Sequence, residues 1–312
     1  MAAPNVYNEV IRIQQEVHQL QQQAQFHLTA SLDKLRARCL ELITESTKRP
    51  VIAYYSGWLT QPQKSGIAVE EADVQGFHHA VRDLDTNAGL DLILHTPGGD
   101  PFVAESIMTF LLKKFNNNIR VIVPQIAMSA GTLMACASRE ILMGAHASLG
   151  PIDPQFNGIP AQGVLEEFAR ATKEIEQNSS RIHVWQPILA KYPIAFLGMC
   201  ESALNYTRET AESWLKQIHL GQQASITTDP KRIVDELIKL GSTSSHSRRL
   251  SVSMCIDLGL NAKCLATDKA DLDPFYMAAH DAFMATFQKS QIVKIIQNNK
   301  GCTYAQLSSN PL

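Results

Sequence analysis

Two short stretches of this sequence put chemistry-bearing residues at corners. HTPGGDPF (His95 to Phe102) sets two adjacent glycines, Gly98 and Gly99, between a strand-like run, LDLIL, and a helical pattern that starts at Val103. Glycines at such a corner let bare backbone N–H groups come close to a ligand. A phosphate cradle would need G-x-G-x-x-G or G-x-x-x-x-G-K-[ST]. Neither occurs, and Asp100 puts an anion where a phosphate would sit. In the second stretch, VIVPQIAMSAGTLMACA, a strand-like run gives way to Ser129-Ala130-Gly131 at the start of a small-residue helix. A serine there is commonly an N-cap. It also suits a nucleophile, because the helix end supplies N–H donors and a dipole that favour developing negative charge. The surrounding residues are not the G-x-S-x-G elbow of the α/β hydrolases.

The two corners share one chemical reading. If their strands are parallel neighbours, Gly98-Gly99 and Ser129 meet at the carboxyl ends, where open α/β sheets build their sites. The N–H of Gly98 or Gly99, with that of Ala130, then forms an oxyanion hole beside a serine hydroxyl, as acyl transfer requires.

The elements that must hold these corners are legible from periodicity. Val6, Val10, Ile13, Val17 and Leu20 recur at helical spacing in a polar N-terminal segment ending near TKRP (Thr47 to Pro50). Its narrow apolar stripe needs a partner, either another subunit or the body of the same chain. From Val51 the pattern changes to VIAYYSG, LDLILHT, IRVIVPQ and EILMG, short apolar runs separated by helical segments. Such runs indicate parallel strands covered on both faces, hence an α/β layered domain. After Gly158 the sequence reads as mostly helical to about Leu240, with GSTSSHSRR (Gly241 to Arg249) as a polar loop. A last helix is predicted from Pro274 to Lys300-Gly301.

Composition removes several classes. The chain has 312 residues, 45% of them hydrophobic, with 28 basic and 30 acidic residues and a net charge of −2. That is enough for a sizeable core, with no basic face to suggest nucleic acid. Six scattered cysteines form no C-x-x-C pair, so reduced thiols are expected. The N-terminus lacks the pattern of a signal peptide, and no window has the apolar length of a membrane span; a cytoplasmic location is expected. His78-His79 lie on a helix without acids at ligand spacing, and His95 reads as structural or substrate-facing. No metal and no cofactor is expected.

The TPGG corner, the AMSAGT serine and LGPIDPQ (Leu149 to Gln155), in that order, resemble the serine dehydrogenase proteinase family. That family sits in the wider superfamily of Clp protease, signal peptide peptidase A and the crotonases. The resemblance covers roughly residues 49–265. It implies a ClpP/crotonase-like spiral of β-β-α units, serine-peptidase chemistry on peptide or unfolded-protein substrates, and a homo-oligomer. It divides the chain into an N-terminal helical arm (1–48), a peptidase core (49–270) and a C-terminal helical extension (271–312). The family's order of serine, aspartate and histidine points to Ser129, Asp153 and His246. Where the family pattern is His-x-x-Pro-Ile, this chain reads His-Ser-Arg-Arg-Leu. The histidine position of Clp protease falls on Pro154, and His146 does not match it. The Ser–Lys dyad of signal peptide peptidase A offers Lys173 as an alternative base. "Serine dehydrogenase" in the family name is not an expectation of that activity. Two rivals stand beside the peptidase: an oligomeric scaffold in which Ser129 is not activated, and an acyl-CoA-binding crotonase-like enzyme.

Overall fold

The structure, a computed structural model, describes residues 4–22, 28–219, 229–243 and 248–308. Helices α1 (Pro4–Gln22) and α2 (Leu28–Thr47) lead into β1 (Val51–Ser56), α3 (Glu71–Ala80), β2 (Leu90–His95) and α4 (Pro101–Lys114). Next come β3 (Ile119–Val123), β4 (Ile126–Ala127), α5 (Ala130–Cys136), β5 (Glu140–Met143), β6 (Ser148–Leu149) and the small β7 (Gln155–Phe156)–β8 (Ile159–Pro160) hairpin. A helical cap follows: α6 (Ala161–Gln177), α7 (Ile182–Leu189), α8 (Phe196–Trp214) and α9 (Pro230–Thr243). The chain then returns through β9 (Leu250–Ser251), α10 (Val252–Leu258), β10 (Ala262–Cys264), α11 (Leu265–Asp268), α12 (Asp273–Lys289), β11 (Ile292–Asn298) and β12 (Thr303–Leu307).

The main sheet has the order β10-β5-β3-β2-β1-β11-β12, and its first five strands are parallel. A second sheet, β4-β6-β9, stands beside their carboxyl ends. Thus β3 and β5 each continue into a short strand of the other sheet, and β3-β4-α5 is one β-β-α unit of the spiral. Side chains alternate along the strands and feed two cores. Ile52, Tyr54, Leu92 and Leu94 pack with α3, α4 and α5, while Val51, Ala53, Tyr55 and Ile93 pack with α2 and α12. Burial on both faces is why these strands read as unbroken apolar runs.

The N-terminal stripe finds its partner in the same chain: Val10, Ile13 and Val17 are buried against α2 and α12. The C-terminal expectation needs correction. The helix ends at Lys289 and the chain becomes β11, which pairs antiparallel with β1, then β12. The described part of residues 271–312 is therefore helical only through α12; β11 and β12 complete the main sheet. IVKIIQN is rich in β-branched residues that favour a pleated surface, but a short apolar run does not by itself separate strand from buried helix. Among the described residues, no helix is long and apolar enough to cross a membrane.

Under β1 and β2, on the α12 side, two histidines are buried together. The His95 ring lies 5.4 Å from that of His280, and both lie against Tyr55. Burial pushes His280 down to about 4 and, with His280 beside it, pushes His95 well below the usual histidine range. The folded state thus holds neutral rings, whereas an unfolded histidine takes its proton near pH 6.5. Below that pH the unfolded chain binds more protons, so stability falls as pH falls, until the folded His280 ring titrates near 4. Between pH 7 and 5, His280 alone is expected to cost about 2 kcal/mol. Urea denaturation of wild type and His280→Phe at both pH values checks this, since the difference between their pH slopes isolates the ring. Equal slopes would contradict it.

Candidate active site

The glycine corner follows β2, and its rigidity comes from what lies on each side. Asp100 caps α4, with Oδ1 accepting from Phe102 N at 2.8 Å and Val103 N at 3.4 Å, and Pro101 opens the helix. The α4 N-terminus is thus occupied by the chain's own carboxylate. On one side runs a strap ending in Val69 and Glu70. Val69 N–H donates to Gly98 O at 2.8 Å and Asp100 N–H donates to Val69 O at 3.0 Å. A side chain at Gly99 would begin 2.4 Å from Val69 N and O, and one at Gly98 would begin 2.6 Å from Ser129 Cβ and Met128 O. Both glycines also have positive φ, +91° and +151°. They are held between two other backbones, which answers why no side chain fits.

The serine corner is tied to the glycine corner by backbone. Thr96 N–H donates to Ile126 O at 3.2 Å, and Met128 N–H donates to Thr96 O at 3.0 Å. β4, which the sequence reading did not separate from β3, makes this link and carries the chain into Ser129. Ser129 has φ 51° and ψ −115°, a conformation that L residues rarely adopt, and its side chain caps nothing. It occupies an N-cap position without doing an N-cap's work. Strain of this kind, on the order of 1–3 kcal/mol, persists where surrounding structure over-determines it. Gly131 lies against Thr96, and the Thr132 hydroxyl donates to Ala127 O while accepting from Gly150 N–H. Those bonds fasten the LGPIDPQ loop to α5.

Asp153 sits in that loop, buried, with its carboxylate against Gly241 of α9. A side chain at Gly241 would begin 1.6 Å from Asp153 Oδ1, so α9 can pass here only as glycine. Ile152 N–H donates to Leu237 O at 3.3 Å, holding the same helix to the loop. Leu250 of β9 pairs with Leu149, just before the loop. The sequence-predicted His246 lies outside the described residues. Lys173 is exposed on α6, three turns from that helix's start and not in the cavity described next.

A cavity of about 440 Å³ opens in front of the serine. Gly99, Ser129 and Ala130 form one wall, Phe102, Leu133, Ile152, Pro154 and Phe156 give it apolar surface, and Ala203 and Thr207 of α8 close it. The α8 contribution was not readable in the sequence, since a cap helix carries only an ordinary amphipathic pattern. Gly98 N–H is committed to Thr96 Oγ1 at 3.1 Å. The bonds to Val69 straddle Gly99, so its N–H is directed away from the strap.

Replacing Gly98 with alanine sets a methyl group against Ser129 at a positive-φ site. The substitution is expected to slow acylation of Ser129 by about 100-fold or more, because a misplacement near 1 Å has that effect. Timed labelling with a serine-directed reagent checks it, and a rate near wild type would show that the corner tolerates displacement.

A serine on a strained strand-to-helix turn, facing a glycine corner inside a two-sheet β-β-α spiral, belongs to a ClpP-like α/β fold. Sequence comparison narrows the class. The chain belongs to the ClpP-like SDH-type serine proteinases, whose family profile matches residues 27–205. It is 28% identical over 230 residues to the uncharacterized protein MJ1495 of Methanocaldococcus jannaschii, covering 72% of this chain and 70% of that protein. It is 42% identical over 94 residues to the uncharacterized protein MJ0137 of the same organism, a match covering 30% of this chain and 32% of the other.

Proposed function

We propose that this protein is a serine peptidase acting through an acyl-enzyme on Ser129. The observation that carries the reading is the Ser129 backbone: a strained corner, with a hydroxyl free of capping duty, on the wall of a cavity beside the glycine turn. The Gly99 and Ala130 N–H groups form the oxyanion hole, with Gly98 holding the turn through Thr96. Ser129 Oγ attacks the scissile carbonyl, its proton passes to a base, and the base returns it to the leaving amine. Water then repeats the sequence on the acyl-enzyme.

His246 is the base and Asp153 orients it. What supports this is the placing of the described chain on both sides of residue 246, with Gly241 against the Asp153 carboxylate and Leu250 paired to Leu149. A lysine base must be desolvated to be neutral at pH 7, and the exposure of Lys173 speaks against it in that role. Peptide or unfolded-protein segments are the substrates, and the protein works as a homo-oligomer. Exposed Ile182, Val184, Ile194 and Met199 on the cap give apolar surface for self-association.

A fluorophosphonate probe tests the reading, because only an activated serine displaces its fluoride. Labelling should map to Ser129 by mass spectrometry, persist in Lys173→Ala, and fall by about 10³-fold or more in His246→Ala. Absence of labelling in the assembled wild-type protein would sink the peptidase and favour the scaffold.

A further inference from the structure

A buried ionic cluster lies behind the glycine corner, on the far side of the strap from the cavity. Lys294 of β11 and Asp73 of α3 are both fully buried, with Nζ 2.9 Å from Asp73 Oδ1. Lys294 Nζ also donates to Ala68 O at 2.7 Å, at the start of the strap. Asp73 Oδ2 accepts from Glu70 N–H at 3.0 Å and from the Tyr54 hydroxyl at 2.9 Å. Burial and the nearby Asp73 push Tyr54 well above its ordinary range, so its hydroxyl stays a donor to that carboxylate. Thr96 Oγ1 accepts from Gly98 N–H. A chain of contact therefore runs from Lys294 and Asp73 to the glycine corner through the strap backbone.

We propose that Lys294 and Asp73 are positioning residues for the oxyanion corner, acting through the Ala68–Glu70 strap, with the Tyr54 hydroxyl holding the Asp73 carboxylate in place. A buried ion pair adds little net stability over apolar residues of the same volume. Its directional bonds, in contrast, fix atoms: here they fix Ala68 O and Glu70 N, on either side of the residue that pairs with Gly99. The Gly99 N–H must point at a charge that develops on the substrate, and a strap free to shift would carry that donor with it. This role rests on the peptidase reading, because it matters only if an oxyanion forms at the corner.

The test measures the limiting rate and the half-saturating probe concentration for fluorophosphonate labelling of Ser129 in the full chain. Tyr54→Phe and Thr96→Val remove one hydroxyl each at nearly constant volume, and Lys294→Met removes the cation. Each is expected to lower the limiting rate by about tenfold or more, while half-saturation stays within about twofold. Thr96→Ser, which keeps the hydroxyl, should recover most of the rate lost in Thr96→Val. Amide hydrogen exchange over residues 98–102 should quicken in the three slow variants, a readout that does not depend on turnover. If Lys294→Met fails to fold, Tyr54→Phe still decides, and Thr96→Val shows what loss of the Gly98 anchor alone does. Folded variants that label at the wild-type rate with unchanged exchange would overturn the positioning role alone. Wild-type protein that does not label at Ser129 would overturn the peptidase reading, and the role with it.

Discussion

Ser129→Gly is expected to be inactive and yet more stable than the wild type. Loss of the nucleophile removes the acyl-enzyme route, and hydrolysis should fall by about 10⁴-fold or more. Stability should move the other way for a backbone reason. Ser129 holds φ 51° and ψ −115°, strain that glycine relieves because it has no Cβ. Relief on the order of 1–3 kcal/mol is partly offset by the larger freedom of glycine in the unfolded chain, about 0.5–1 kcal/mol. The serine loses no cap on replacement, since its side chain makes no capping bond. A net gain of about 1 kcal/mol should raise the melting temperature by roughly 2–4 °C. Ser129→Ala separates the two effects, since it is equally inactive and keeps the strain. An equal or lower melting temperature for the glycine variant would mean that the corner is not held against its own preference.

Asp91→Asn should be strongly destabilising. Asp91 of β2 is fully buried between two cations, with Arg49 Nε at 2.7 Å and Arg120 Nη2 at 2.6 Å, and it also accepts from the Tyr276 hydroxyl at 2.6 Å. It joins the start of β2 to β3, to α12 and to the chain entering β1. The same Arg49 donates to Leu90 O and Asn118 O, so the cluster also satisfies carbonyls at the strand beginnings. An asparagine keeps the volume but leaves two guanidinium groups, each mostly buried, without their counter-charge. Breaking a buried pair in this way costs about 3–5 kcal/mol. Denaturant titration should show the midpoint falling with little change in slope. A loss below about 1 kcal/mol would place the pair among solvent-screened surface bridges.

The two substitutions differ in how far their residues could be read in advance. Ser129 stands out in sequence because a hydroxyl at a strand-to-helix corner, beside small residues, has few uses. Asp91 does not, because one aspartate in LDLIL reads as an interruption of an apolar run. Its partners come from positions 49, 120 and 276, and nothing local predicts that they converge. The N-terminal stripe is a case between these. Its existence was plain from helical spacing, but whether it meets another subunit or α12 depends on where the chain's other end lies.

The sequence by itself determined the features that rest on neighbouring residues: parallel strands from unbroken apolar runs, a glycine corner after a strand, and a serine at a helix start. It also carried the order of motifs that marks the family. Only the tertiary structure decided the rest. It gave Ser129 its strained backbone, brought Gly98 to within contact of it, and set Gly241 against Asp153. It ended the predicted last helix at Lys289 and sent the chain on into strands that close the main sheet, which is how Lys294 reaches a strap more than two hundred residues earlier in the chain. The division follows from range. Backbone preference and periodicity act over a few residues and are written locally, whereas contact between distant segments depends on how the whole chain closes around its two cores.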